Sequence, residues 1–130
     1  MKQELLSYLK ADTAIAALVG DRIHWVEAPQ GQTMPYVVLT RASDIASHVY
    51  EGAIAIRELR LQVDCDALTD IQAQAVQDAI QARITGKRFE QGGVKFQGGF
   101  VLNALDYSEQ NQSAGARIKR SMQEYKLFYN

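Results

Sequence analysis

The residues able to do chemistry in this sequence are few and scattered. Cys65 is the only cysteine, Asp64 and Asp66 flank it, and the two histidines are His24 and His48. A cysteine nucleophile needs a base beside it, and a zinc ion needs several ligands brought together. Neither histidine belongs to a zinc-binding motif, so a zinc site would have to be assembled from separate segments. We therefore interpret both imidazoles as solvated or half-buried side chains.

The segment that carries Cys65 is typical of a strand with one buried face. From Ile56 the stretch IRELRLQVDCD alternates strictly between apolar and polar residues. The apolar face holds Leu59, Leu61, Val63 and Cys65, and the polar face holds Glu58, Arg60, Gln62 and Asp64. This placement makes core packing the interpretation of Cys65. The spacing of Asp64 and Asp66 would allow paired carboxylates, although a solvated strand edge explains it equally well. We expect no catalytic, cofactor-binding or metal residues.

Two helical segments are predicted to cover this strand. Leu5, Leu6, Leu9, Ile15 and Leu18 recur at helical spacing, which predicts a helix over residues 2–18. Asp12 interrupts it and caps its second part, and Gly20 ends it in a left-handed cap. A second helix begins at the capping box of Thr69 and Gln72 and ends at Gly86. Its predicted buried stripe comprises Ile71, Ala75, Val76, Ala79, Ile80 and Ile84.

The remaining apolar runs predict further strands. Pro35 opens the run YVVLT, and VKFQGGFVLNALDY puts Val94, Phe96, Phe100, Leu102 and Ala104 on one face, with a bulge at Gly98 and Gly99. In the last strand Ile118 and Met122 have one parity and Tyr125, Leu127 and Tyr129 the other. A bulge near Gln123 would turn both sets inward. The sequence thus predicts an α+β fold in which a mostly antiparallel β-sheet of about four to five strands packs against two main helices. The predicted order is helix, strands, helix, strands.

Three polar segments are predicted to be loops that contact partners: residues 42–55, 86–93 and 108–116. The first of them is expected to be mobile in the isolated protomer. The glycine pairs at Gly92, Gly93 and Gly98, Gly99 make neither a dinucleotide motif nor a phosphate loop, so they are interpreted as a turn and a bulge. The basic residues Arg117, Lys119 and Arg120 are interpreted as a solvated face, with phosphate contact as the alternative.

Composition limits the class of partner. The 130 residues fit a single domain, 1–130, that can bury a core without disulfides. Fourteen Lys and Arg against fifteen Asp and Glu give a net charge of −1, which offers no electrostatic reason to bind nucleic acid or an anionic membrane. No run approaches the roughly 20 apolar residues of a membrane span. We expect a soluble protein made in the cytoplasm.

Three segments together resemble a family of small tailed-phage proteins. LKADTAIAALVGDRIHWVEAPQGQTMPYVVL resembles its amino-terminal signature, in which a helix ending in ALVG leads to a DRI strand, a PQG turn and a PYVV strand. RLQVDCDALTDIQAQAVQDAIQARI resembles its central strand and second helix, and GGVKFQGGFV resembles the strand that follows. The family comprises the tail completion or tail terminator proteins, also called head-tail joining proteins, of siphophages, prophages and gene transfer agents.

The resemblance implies a structural virion protein with no catalytic residues. It implies an α+β protomer that forms a ring, usually hexameric, which caps the head-proximal end of the tail tube and joins the tail to the head connector. The implied partners are further copies of itself, the tail-tube protein and the connector, with DNA only passing through the channel and with no membrane. Assembly would take place in the bacterial host cytoplasm. The sequence departs from the family pattern by one extra residue near Gln123 and by a loop after Asp106 rich in Ser, Gln and Asn.

The sequence leaves two other functional hypotheses open. One is a tail-tube or head-tail connector protein of related architecture. The other is a small cytosolic enzyme that uses Cys65 or the pair Asp64 and Asp66.

Overall fold

A computed structural model describes residues 1–46, 56–110 and 117–130. The elements in chain order are α1 (Lys2–Lys10), α2 (Thr13–Val19), β1 (Ile23–Trp25), β2 (Tyr36–Ala46), β3 (Arg57–Ala67), α3 (Asp70–Ile84), β4 (Arg88–Gln91), β5 (Val94–Gln110) and β6 (Arg117–Tyr129). Six strands form one sheet in the order β1-β2-β3-β6-β5-β4. Among the described residues, no helix has the length and apolar character needed to cross a membrane.

The α+β class predicted from the sequence is confirmed, but the predicted numbers of strands and helices were too low. The sheet has six strands rather than four or five, and three helices pack against it rather than two. The pairings are antiparallel except between β1 and β2, which run parallel. The DRI strand that the resemblance implied is present as β1, of three residues, whereas β4, of four residues, was not predicted. Both strands are too short to show a period of two.

The interruption predicted at Asp12 is confirmed. The Asp12 carboxylate accepts hydrogen bonds from the backbone N–H groups of Ala14, at 2.8 Å, and Ile15, at 3.0 Å, so it caps α2. Gly20 follows α2 with a positive φ of 61°, but its ψ of −125° is not that of a left-handed helical cap. The polypeptide therefore leaves α2 in an extended direction and enters β1.

The core lies between the helices and one face of the sheet. The predicted inward residues Leu59, Leu61, Val63 and Cys65 are all fully buried. Paired positions on neighbouring strands share a face, so Val37 and Leu39 of β2 and Tyr125 and Leu127 of β6 join this inner face. Ile15, Val76 and Ile80 cover it from the helices. The opposite face of the sheet is called the outer face below.

The buried stripe predicted for α3 is correct in its second half only. Thr69 Oγ1 accepts a hydrogen bond from Gln72 N at 3.2 Å, which confirms the cap. Val76, Ile80 and Ile84 are buried, but Ala75 is exposed and Ile71 is 83% exposed. Gln77 takes an inward position instead, where its Nε2 donates to the carbonyl oxygens of Val63 and Ser121. Because its side chain donates to two strand carbonyl groups, Gln77 occupies an inward position that the hydropathy pattern would give to an apolar residue.

The bulge predicted at Gly98 and Gly99 is present, and a second one follows between Val101 and Asn103. The face assignment of β5 was wrong for Phe100, whereas Ala104, which follows the second bulge, returns to the inner face opposite Gln123. Phe96 is buried opposite Tyr129, but Phe100 pairs with Lys126 and lies on the outer face. Leu102 and Ala104 are also exposed. An extra residue reverses the alternation, so a single period of two cannot describe the whole strand.

The bulge predicted near Gln123 of β6 is wrong. The pairing of β3 with β6 runs without a shift from Arg57 opposite Tyr129 to Ala67 opposite Lys119. Ser121 and Gln123 continue the inward row of Tyr125, Leu127 and Tyr129, and both are buried. The Tyr125 hydroxyl lies 2.7 Å from Gln123 Oε1 and 2.9 Å from Gln77 Oε1, so polar partners compensate the inward polar residues. Met122 and Ile118 both lie on the outer face, and Ile118 is buried there.

The three segments predicted to be loops lie partly in strands. Within residues 42–55, Ala42 to Ala46 continue β2, and the rest lies outside the described residues, as does the predicted mobility. Residues 86–93 contain β4, because the Phe89 ring stacks between Tyr8, at 3.4 Å between ring centroids, and Phe96, at 4.5 Å. Residues 108–110 belong to β5, and residues 111–116 lie outside the described residues. The turn predicted at Gly92 and Gly93 joins β4 to β5.

Candidate interaction surface

Cys65 is placed where nucleophilic chemistry is unfavourable. Its side chain is fully buried on the inner face between Val37 and Ser121. Burial, together with the negative charges of Asp66 and Asp64, raises the pKa of the Cys65 thiol well above its ordinary value. The neutral thiol is a poor nucleophile, and the strand directs Asp64 and Asp66 to the opposite face. The three residues therefore do not form one site.

The two carboxylates on the outer face have separate partners. Arg120 Nε donates to Asp66 Oδ1 at 2.6 Å, and Arg120 Nη2 donates to Asp66 Oδ2 at 3.0 Å. Gln62 Nε2 donates to Asp64 Oδ2 at 3.0 Å. Burial raises the pKa of Asp64, although the Gln62 hydrogen bond and the Arg120 charge oppose this. Each carboxylate thus has its own partner, Arg120 for Asp66 and Gln62 for Asp64, although the negative charge of Asp66 also contributes to raising the pKa of Asp64.

The structure describes one of the two predicted histidines and two of the three predicted basic side chains. His24 lies in β1, where its Nε2 is 2.6 Å from Gln32 Oε1, whereas His48 lies outside the described residues. In the part of the chain that the structure describes, no three His, Cys, Asp or Glu side chains are grouped so as to hold a metal ion. Arg120 is bound to Asp66, Lys119 shares the inner face with Ala67, and the side chain of Arg117 lies outside the described residues. Lys119 and Arg120 thus lie on opposite faces of the sheet.

The charges on the outer face compensate one another across β3 and β6. Among the described residues, ion pairs that join these strands are Asp66 with Arg120, Glu124 with Arg60 at 3.1 Å, and Glu58 with Lys126 at 3.3 Å. In each pair one partner comes from β3 and the other from β6. This part of the outer face consequently presents paired charges, which gives it little attraction for a polyanion.

The C-terminal half of β5 carries several exposed apolar side chains. Every residue from Leu102 to Ser108 is exposed, on the inner face as well as the outer face. Leu105 and Tyr107 pair with Met122 and Arg120, which places them on the outer face. Leu102 lines a shallow groove of about 320 Å³ together with Ile45, Arg60 and Lys126. We call the segment from Leu102 to Ser108 the β5 arm. Exposed apolar residues along one strand are typical of a contact surface for another protein.

The other end of the sheet also carries an open surface. A groove of about 630 Å³ beside β1 is lined in part by Leu6, Lys10, Trp25, Glu27 and Pro29. We call it the β1 groove. Val26, next to its lining residues, has a φ of 73° and is 66% exposed. A β-branched residue rarely adopts positive φ, and here the backbone turns the apolar side chain towards solvent.

Neither surface was predicted from the sequence. Partner contacts were expected in loops, whereas the β5 arm belongs to a strand. The sequence did contain a signal for the β5 arm, because the apolar residues Phe100, Leu105 and Tyr107 lie beyond the part of the sheet that α3 can cover. The β1 groove had no sequence signal, since its lining comes from a helix, a strand and a loop.

The described residues form a small α+β protein whose β5 arm exposes apolar side chains. A family model described as tail completion protein gp17 matches residues 3–130. The chain therefore belongs to this family, as the resemblance in its sequence indicated, and it is a structural protein of a bacteriophage tail.

A solved structure shares the fold. A chain of the virion of a native gene transfer agent particle superposes with a TM-score of 0.67 at 22% identity, over 98% of this chain and 94% of that one. A second solved chain, at 16% identity, has a TM-score of 0.45 over 97% of this chain and 89% of that one. No curated protein sequence shows significant similarity.

Proposed function

We propose that this protein is a tail terminator. In this proposal several copies form a ring that caps the head-proximal end of the tail tube and joins the tail to the head connector. Family membership supports a role in tail completion. The structural observation that carries the proposal is the β5 arm, an exposed strand segment with apolar residues that suits contacts between proteins.

The ring is proposed to be hexameric and to surround a channel for DNA. A closed ring of more than two copies requires each subunit to use two different patches, one for each neighbour. A net charge of −1 and the ion pairs on the outer face would let DNA pass without being held. The likeness to a chain of a gene transfer agent virion is consistent with a place inside a phage-like particle.

The proposed partners are the tail-tube protein and the head completion or connector protein, with assembly in the host cytoplasm before the particle is released. The proposal includes no catalytic residue, cofactor, metal or membrane. The burial of Cys65 and the separate partners of Asp64 and Asp66 weigh against the enzymatic alternative.

A gene deletion tests the proposal against its nearest alternatives. Loss of a terminator leaves separate heads and tails, and the tails are abnormally long or ragged at the head-proximal end. Loss of a tube protein would leave no tube, and loss of a connector protein would leave tails of normal length. Purified protein should restore joining when it is added to the deletion lysate. Normal infectious particles from the deletion strain would refute the proposal.

A further inference from the structure

Asp64 is a buried carboxylate on the outer face whose hydrogen bonding is incomplete. Its side chain is 8% exposed and lies between Val38 of β2 and Met122 of β6. Gln62 Nε2 donates to Asp64 Oδ2 at 3.0 Å, whereas no described residue donates to Oδ1, which is also shielded from solvent. Buried polar atoms in folded proteins generally have a hydrogen-bond partner, so an ionised carboxylate with an unpartnered oxygen is unfavourable at this position.

The arginine next to Asp64 is already paired with another carboxylate. Asp66, two residues further along β3 on the same face, is 1% exposed and accepts hydrogen bonds from Arg120 Nε at 2.6 Å and Nη2 at 3.0 Å. Arg120 Nη1 donates to the Tyr107 hydroxyl. Two buried carboxylates therefore share one guanidinium, and the two-point pairing with Asp66 determines where that guanidinium points.

The neighbouring strands bring a further acid close to Asp64. The described residues that lie diagonally across from it on the outer face are Tyr36 and Thr40 of β2 and Arg120 and Glu124 of β6. Among these four side chains Arg120 carries the only positive charge. Glu124 is negatively charged, and Arg60 pairs with it at 3.1 Å. The surroundings of Asp64 thus compensate one buried carboxylate well and two poorly.

We propose that Asp64 is a proton-binding site, which takes up a proton from solvent in the folded protein at mildly acidic pH and makes the outer face sensitive to pH. The proton removes the buried charge that lacks a full set of partners and leaves Arg120 to Asp66. Burial and the negative charge of Asp66 raise the pKa of the Asp64 carboxyl, although the Gln62 hydrogen bond and the Arg120 charge oppose the rise. The inference involves one chain only, so it holds whether or not a ring forms.

The sign of the pH dependence follows from the raised pKa. Between the unfolded and the folded value the folded chain binds the proton of Asp64 and the unfolded chain does not. The stability that protonation provides is therefore fully present below the unfolded value and is lost as pH rises through the folded value. A carboxylate whose pKa is lowered by folding behaves in the opposite way.

Replacing Asp64 with asparagine tests the proposal. Asp64→Asn keeps the shape of the side chain and removes its charge, so its melting temperature should exceed that of the wild type at neutral pH. The difference should shrink as the pH is lowered through the folded-state pKa of Asp64. Asp106→Asn is the matched control, because Asp106 is an exposed aspartate of β5. A variant Asp64→Asn that melts below the wild type at neutral pH, or a difference that is constant across the pH series, would overturn the proposal.

Carbon-13 NMR gives an independent measurement on the wild-type chain. The carboxyl resonance of Asp64, assigned by its absence from Asp64→Asn, should titrate at a higher pH than an aspartate in an unfolded peptide. In Asp66→Asn it should titrate at a lower pH than in the wild type, because a negative neighbour is removed and Arg120 is released to donate to Asp64. A wild-type midpoint at or below the peptide value would overturn the proposal. A midpoint that Asp66→Asn leaves unchanged would overturn the role assigned to the shared arginine.

Discussion

Arg120 holds Asp66 through two parallel hydrogen bonds across β3 and β6, of 2.6 Å and 3.0 Å, and Asp66 is only 1% exposed. The same guanidinium donates to the Tyr107 hydroxyl of β5. One side chain therefore links a buried carboxylate to the exposed β5 arm. Two-point pairing of this kind fixes the relative position of both groups more strongly than a single contact.

Replacing Arg120 with methionine should lower the free energy of unfolding by roughly 3 kcal/mol, because a buried carboxylate then loses its partner. Asp66→Asn combined with Arg120→Met should recover part of that loss, since no unpaired charge remains. Urea unfolding of the wild type, both single variants and the double variant measures the coupling. A double variant no more stable than Arg120→Met alone would contradict this account.

Leu61→Ala should cost about 2–5 kcal/mol, because Leu61 is fully buried at the centre of the inner face and its truncation leaves a cavity. Ile71→Ala is the control, and a change within about 0.5 kcal/mol is expected there because Ile71 is exposed. Denaturant melts of both variants provide the comparison. A loss below roughly half a kcal/mol for Leu61→Ala would be incompatible with the described packing.

Gly99→Ala should destabilise the fold by about 1–3 kcal/mol through overpacking. A Cβ atom at this position would collide with Leu127 Cδ2 and would also lie 3.3 Å from Ile84 Cγ2. Because the φ of Gly99 is not positive, steric contact rather than backbone strain causes the loss. Gly99→Ala should therefore cost less in a Leu127→Ala background. Additive losses in thermal unfolding of the double variant would argue against the contact.

The stability supplied by Asp44 should depend on pH. Burial raises the pKa of its carboxyl, but hydrogen bonds from Tyr129 and Arg57 and the charges of Arg57 and Arg41 lower the pKa by more. Because the folded-state pKa is depressed, this stability is present above the unfolded value of about 3.9 and is lost as pH falls through the folded value. The difference in unfolding free energy between wild type and Asp44→Asn should be constant near neutral pH and shrink in acid. A difference that does not change with pH would refute this.

Cys65 should react with thiol reagents only after global unfolding. The side chain is fully buried and burial raises the pKa of the thiol, so both access and thiolate formation are suppressed. Labelling rates measured across a urea series should follow the unfolded fraction. An engineered surface cysteine, Ile71→Cys, provides the fast control within the same chain. Rapid labelling of Cys65 in the native protein would show that β3 opens locally.

The parts of the fold that could be predicted are those set by local pattern. Strict alternation around Leu61 fixed the inner face of β3, and Asp12 and Thr69 marked helix starts through their own side-chain oxygens. β4 was missed because its four residues are too few to show alternation and because Phe89 packs on Tyr8, a residue 81 positions earlier. A sequence window cannot contain such a contact.

The polar residues of the inner face and the β5 arm were missed for related reasons. Gln123 faces inward because Tyr125 offers it a hydrogen bond, so hydropathy alone predicts the wrong register for β6. The exposure of Leu105 follows from how far the helices extend over the sheet, which is a property of the assembled fold. No group of reactive residues indicated a function, and the resemblance to tail completion proteins identified the family instead.

The bulge between Val101 and Asn103 also determines where this chain can change in length. Leu102 has no partner of its own on β6, whereas Asn103 and the residues after it keep regular partners. Deleting Leu102 would therefore remove one residue and leave every later pair in register, whereas deleting Ala104 would exchange the faces of all the residues that follow. Among related chains, single-residue insertions and deletions in this strand should accumulate at this position.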